Sequence, residues 1–193
     1  MTETQLAVPN TPETPAVPNT PETPAERTRT YSWEDPRVDP RALAGMTGQD
    51  MFAAMSDGRL PRPPIMYTMD MNAVEVIREG EVHVTLTPQE FHYNPLGSVH
   101  GGVIATLLDT AAACSVHTTL PAGMTYTSLD LSTKFLRAVT VESGTLRCEG
   151  TVTHRGRQLA LAEAHLYDAA GRLVAHATSS CLIFPIPTSG PTG

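Results

Sequence analysis

The residues best equipped for chemistry lie in one block. Asn94-Pro95-Leu96-Gly97-Ser98-Val99-His100-Gly101-Gly102 runs directly into an apolar segment whose single acid is Asp109. Two glycines where a helix begins let a ligand approach the backbone closely. The first helical N–H groups have no intrahelical partner, and the helix dipole adds partial positive charge there. Such an end can hold a carbonyl oxygen that turns into an oxyanion. Equally, Gly101-Gly102 suits tight packing of a helix on a sheet. Asp109 is flanked by Leu107, Leu108, Ala111 and Ala112, and the polar stripe of the helix runs Thr106, Asp109, Thr110. A carboxylate on a buried helix is costly unless it is solvated, paired or used. Asp109 is therefore either a structural acid bonded to a neighbouring strand or a general base or nucleophile.

Positioning these groups takes a long helix among strands. Val103, Ile104, Leu107, Leu108, Ala111, Ala112 and Val116 surround nearly the whole circumference of a helix expected over about 99–118, so it is buried. Val82, Val84 and Leu86 alternate with polar residues over 81–87, which predicts a half-buried strand, with a partner over 72–78. After the turn Pro121-Ala122-Gly123, strands return. Leu129, Leu131, Thr133 and Phe135 are expected on one face, with Ser128, Asp130, Ser132 and Lys134 opposite. Leu146, Cys148, Gly150 and Val152 mark the next strand, Arg155-Gly156-Arg157 breaks it, and residues 158–168 resume the pattern. Asp168-Ala169-Ala170-Gly171 is a hairpin turn, and the last strand is expected over 172–184. Consecutive strands with short turns make an antiparallel sheet. The class is α+β: a hotdog fold, an antiparallel sheet of five or six strands wrapped around one long central helix.

Proline usage bounds that domain. Six of the 17 prolines fall in the first 25 residues, where Ala7–Pro15 (AVPNTPETP) repeats as Ala16–Pro24. Such a segment cannot bury enough surface to offset its ordering entropy. Residues 1–45 are thus expected to be a Pro-rich tail and an irregular lead-in with Trp33 as anchor, 46–186 the domain, and 187–193 a second tail. The domain opens with a short helix over 48–57, with Thr47 as N-cap and Asp50 three residues on. Pro61, Pro63 and Pro64 are expected to interrupt regular structure.

Composition excludes several classes. Thirteen Lys and Arg against 20 Asp and Glu give a formal charge of −7, which argues against a nucleic-acid binder. No run approaches the roughly 18 apolar residues of a membrane span. The N-terminus lacks a basic segment followed by an apolar stretch, so no secretory signal is expected. Three cysteines without CxxC spacing, Cys114, Cys148 and Cys181, fit reduced core residues of a cytoplasmic protein. The histidines show no HxH or HExxH spacing, so no metal site is expected. The methionines near the domain start, Met66, Met69 and Met71, fit core or tunnel lining.

HGGVIATLLDTA, preceded by Asn94 and followed by Thr127-Ser128-Leu129-Asp130, resembles the hotdog-fold acyl-CoA thioesterases. Within the 4-hydroxybenzoyl-CoA thioesterase superfamily it is similar to the PaaI-like, phenylacetate-pathway branch, over roughly residues 65–184. The resemblance implies hydrolysis of an acyl thioester to free acid and CoA, with no cofactor beyond the CoA of the substrate. It implies that Asp109 activates water or attacks the carbonyl, and that a backbone N–H near Gly101 or Gly102 polarises it. Asn94 would orient the carbonyl or the water, His100 would hold the loop, and Ser128 would support the water.

Distance adds a constraint. Gly101 and Asp109 are eight residues apart, or roughly 12 Å along one helix at about 1.5 Å per residue. One helix cannot bring both to one thioester, so if both act together two chains must contribute, which predicts a homodimer built further into a homotetramer. The phosphates of CoA need local cations, for which Arg137 and the Arg155-Gly156-Arg157 turn are candidates. An acyl-carrier-protein thioester is an alternative substrate. Two other functions stay open: a hotdog hydratase or dehydratase of enoyl thioesters, and a non-catalytic acyl-CoA sensor.

Overall fold

The computed structural model describes residues 26–187. The Pro-rich repeat and residues 188–193 lie outside them. Residues 26–30 fall in a separate unit from the compact one that begins at Tyr31.

In chain order the compact unit has α1 (Pro40–Ala44), α2 (Gly48–Ser56), α3 (Pro64–Thr68), β1 (Met71–Arg78), β2 (Glu81–Leu86), α4 (Gly101–His117), β3 (Met124–Phe135), β4 (Leu146–Arg155), β5 (Leu159–Tyr167) and β6 (Leu173–Pro185). The six strands form one antiparallel sheet in the order β1-β2-β4-β5-β6-β3. α4 packs on it, touching β2 through β6. This is the α+β hotdog arrangement expected from the strand and helix pattern.

Side-chain size explains the fit. The central strands present small residues to α4: Ala160, Ala162 and Ala164 from β5, and Ala175, Ala177 and Cys181 from β6, all buried. The flanking strand β2 fills the edge of the core with Val82, Val84 and Leu86. Full burial of each such side chain is worth about 1.5–3 kcal/mol. β4 crowds α4 at Gly150, where an added Cβ would lie 2.0 Å from the Ala111 carbonyl oxygen. No other residue leaves room for the helix there.

Three local expectations change. Residues 26–46 are not irregular throughout, because Asp39 accepts a hydrogen bond from Arg41 N–H (2.9 Å) and Pro40 starts α1. Pro64 likewise opens α3 rather than ending regular structure. Proline at the first helical position loses no hydrogen bond and its φ is already helical. Trp33 does not anchor on the domain; it is 57% exposed and sits 5.8 Å from the ring of Tyr31.

A fourth correction bears on the site. A β-bulge separates Ser128 from Asp130 in the pairing of β3 with β6, where Ser128 opposes Cys181 and Asp130 opposes Ser180. The extra residue reverses which side chains point at α4. Ser128, expected opposite Phe135, thus shares its helix-facing side: Ser128 bonds Asp109 of α4, and Phe135 lies against Gly101. Leu129 is thrown outward and is 56% exposed.

Candidate active site

The turn that delivers the chain to α4 is clipped by one side chain. Asn94 Oδ1 accepts from Leu96 N–H (2.8 Å) and Ser98 N–H (3.4 Å), and its Nδ2 donates to Ser98 Oγ (3.1 Å). Asn94 N–H also bonds Ser98 O at 2.8 Å, and Tyr93 pairs with Val99. Buried His92 fixes the other side. Its Nδ1 accepts from Gln89 N–H and its Nε2 donates to Met69 O, both at 3.0 Å. The His92 carbonyl accepts from His100 N–H at 2.8 Å.

His100 caps α4 with its ring, Nδ1 accepting from Gly102 N–H at 2.9 Å. The N–H groups of Val103 and Ile104 reach the His100 carbonyl at 2.9 and 3.4 Å. Of the first four helical N–H groups, that leaves the one on Gly101, which meets no acceptor among the described residues. Gly101 lines an open pocket of about 300 Å³ together with Phe135, Arg137 and Val139. A donor with no partner, at the positive end of a 17-residue helix and facing a pocket, is suited to receive a carbonyl oxygen.

Asp109 sits further along the same uninterrupted helix, half-buried. Its Oδ1 accepts a long hydrogen bond from Ser128 Oγ at 3.3 Å. The neighbouring hydroxyls are committed elsewhere, Thr106 to Gly102 O (2.8 Å) and Thr110 to Thr106 O (2.7 Å). The carboxylate therefore keeps acceptor capacity for a water or a substrate. Cys114, one turn on, is no rival nucleophile. Burial, with the Asp109 charge adding to it, pushes its thiol up to about 12, so it stays protonated at neutral pH.

The candidate cations divide between the two ends of α4. Arg137 shares the pocket with Gly101, where its backbone N–H and guanidinium bond the carbonyls of Val174 and Leu173. Arg155 is at the opposite end, its Nε donating to Thr119 Oγ1 at 3.2 Å and its guanidinium reaching Gly156 O. Arg157 in that same turn is exposed. Within one chain Arg137 and the 155–157 turn do not converge. Nor do Gly101 and Asp109, as the helical rise requires.

Pattern reading missed Phe135 as a wall of the Gly101 pocket, since strict alternation set it apart from Ser128; no sequence signal marks the bulge. Among the described residues no group of three or more His, Cys, Asp or Glu side chains could hold a metal ion. None of their helices is long and apolar enough to cross a membrane.

Residues 96–175 match the family model of the thioesterase superfamily. The sequence has no significant match among curated proteins. Among solved structures, the chain is similar to a putative thioesterase of Ralstonia eutropha JMP134 described as a phenylacetic acid degradation-related protein. Identity is 29% over 68% of this chain and 98% of that one, with a TM-score of 0.62. A hypothetical thioesterase of Streptococcus pneumoniae TIGR4, solved with coenzyme A, is 26% identical over 59% of this chain and 86% of that one, with a TM-score of 0.54. The PaaI protein of Escherichia coli shares the fold at 22% identity, covering 71% of this chain and 93% of that one, with a TM-score of 0.61. Over residues 96–175 the chain thus matches the thioesterase superfamily, its hotdog fold is like that of PaaI-like thioesterases, and these likenesses support thioester hydrolysis as its chemistry.

Proposed function

We propose that this protein hydrolyses acyl-CoA at a site shared by two subunits, with Asp109 from one and Gly101 from the other. The observation that carries this reading is the Gly101 N–H, unpartnered among the described residues, on the same uninterrupted helix as Asp109. The two are eight residues apart, roughly 12 Å by helical rise, whereas both must lie within about 3 Å of the reacting atoms. The edge strand β3, on which Leu129 and Phe135 are each more than half exposed, supports a partner along that edge.

In the reaction, water adds to the thioester carbonyl while Asp109 takes its proton as general base. Gly101 N–H donates to the oxygen as it gains charge. The C–S bond then breaks, and the thiolate leaves to recover a proton. Ser128 holds the water against Asp109. Asn94 and His100 hold the turn and the helix start, with one Asn94 amide proton left for the substrate. Arg137 and the turn Arg155-Gly156-Arg157 take the CoA phosphates. The chemistry fits an acyl-carrier-protein thioester in the same way.

Thiol release from a panel of acyl-CoA thioesters, read with a chromogenic disulfide, tests this. The wild type is expected to release thiol, and Asp109→Asn to lower kcat by about 10²–10⁴-fold. Loss of enoyl-CoA absorbance without thiol would overturn the reading in favour of hydration. Full activity from a monomer would overturn the shared site.

A further inference from the structure

β3 changes face midway along its length. Ser128 opposes Cys181 and Asp130 opposes Ser180, so Leu129 is the extra residue of the bulge. Side chains of a strand alternate with period two, and one added residue turns over everything on one side of it. Before the bulge, Tyr126 and Ser128 face α4: the Tyr126 ring meets His117 edge-on at 5.5 Å, and Ser128 Oγ donates to Asp109 Oδ1 at 3.3 Å. Tyr126 also lines a cavity of about 520 Å³ between α2, α3, β1 and α4. Beyond the bulge it is Phe135 that faces α4, against Gly101. In a straight strand Leu129 would stand where Ser128 does. The proposed base would then exchange its hydroxyl partner for an apolar side chain.

A bulge disrupts the hydrogen-bond ladder locally, so it persists where other bonds make up for the loss. Two such bonds sit at this break. Asp130 Oδ1 accepts from Ser180 N–H at 3.1 Å, and the Asp130 carbonyl accepts from Ser179 Oγ at 2.8 Å. Both donors belong to β6, so the residue that follows the bulge is gripped by the strand it pairs with. Ser179 is buried, and its hydroxyl depends on that bond. Cys181 Sγ lies between, within hydrogen-bonding reach of both Ser179 and Ser128, and burial keeps its thiol protonated. A line of polar groups thus runs from Asp109 through Ser128, Cys181 and Ser179 to the Asp130 carbonyl. Asp130 does not line the Gly101 pocket. Its carboxylate is spent on the backbone of β6.

We propose that Asp130 and Ser179 are positioning residues, a latch that holds the β3 bulge and so keeps Ser128 on Asp109. This rests on the hydrolytic reading above, and the experiment separates the two. kcat and KM are measured on an acyl-CoA thioester that the wild type hydrolyses, for Asp130→Ala, Asp130→Asn, Ser179→Ala and Ser128→Ala. Ser128→Ala is also combined with each alanine variant of the latch. Asp130→Ala and Ser179→Ala are each expected to lower kcat on the order of 10-fold, with KM changed less than about 2-fold. Asp130→Asn, whose side-chain oxygen still accepts from Ser180 N–H, is expected to return kcat to within about 3-fold of wild type. In the Ser128→Ala background, loss of the latch is expected to cost less than about 2-fold more, since a group that acts through Ser128 has nothing left to hold. Equal losses with and without Ser128, or an unchanged kcat in both latch variants, overturn the inference while the hydrolytic reading stands. If one latch variant does not fold, the cycle with the other decides. If no thioester is hydrolysed, the hydrolytic reading fails, and the register of β3 on β6, read from cross-strand nuclear Overhauser contacts, decides for the latch. Cys181 opposite Ser128 in the wild type but opposite Leu129 in a latch variant supports it, and an unchanged register in both variants overturns it.

Discussion

The C-terminal end of α4 leaves no carbonyl idle. Cys114 O accepts from Thr118 N–H, Ser115 O from Thr118 Oγ1, Val116 O from Thr119, and His117 O from Leu120 N–H. α2 then closes over that end with a glycine where no side chain fits. The N-terminal end is built the other way: His100 satisfies three of the first four N–H groups through its ring and carbonyl, and the donor on Gly101 faces an open pocket. Helix ends always leave such groups to be satisfied. Among the described residues, complete satisfaction at one end and a single vacancy at the other set a clamped end apart from the proposed reaction centre within one element.

Substitutions that unsettle each end in turn break this contrast, beginning with the closed one. Gly48→Ala forces a methyl onto His117 O, and α2 must lift. A loss on the order of 3 kcal/mol is expected, lowering Tm by roughly 6–12 °C in a thermal melt followed by circular dichroism. An unchanged Tm would mean that α2 does not clamp the helix. At the open end, His100→Ala removes the cap, at a cost of about 1 kcal/mol, or about 2–4 °C in Tm. Turnover should fall more than stability does, on the order of 10-fold, because the Gly101 donor loses its support. His100→Asn, which can still cap, should recover the Tm.

The smallest effect sharpens the comparison through pH. His117 is packed between Phe52 and Tyr126 with its Nε2 3.2 Å from Met51 Sδ, and burial lowers its affinity for protons in the fold. The unfolded chain therefore takes up this proton first as pH falls. The contribution is intact above about pH 6.5, the unfolded value, and declines as pH drops from there toward the lower folded value. Tm measured at pH 7.5 and 5.5 should fall more in wild type than in His117→Asn, since other titrations are common to both; equal falls would show that His117 is not the sensor.

Much of the scaffold was legible in the chain. The all-round apolar segment announced α4, and clean alternation announced β2, β4 and β5, because burial demands those periods. The capping residues of α2 were readable as a local pattern, since each partner lies three residues from the other. The two proline-started helices were not, because a proline read as a breaker serves equally as a first helical residue. Nor was the facing of Ser128, since one extra residue in β3 inverts every side chain on one side of it. The expectation for Asn94 changed in emphasis: most of its hydrogen-bonding capacity goes to its own turn.

The local sequence determined that a helix with a Gly-Gly start would carry one acid eight residues on, and that strands would pair around it. Helical rise alone then kept those two groups apart. Tertiary structure decided what the pattern left open. It left Gly101 as the unpartnered donor, brought Ser128 onto Asp109 through a bulge, and set α2 over the end of α4 to enclose a cavity. The reason is range. Periodicity and caps are set by neighbours within a turn or two, whereas which donor stays free and where space remains depend on contacts between distant segments.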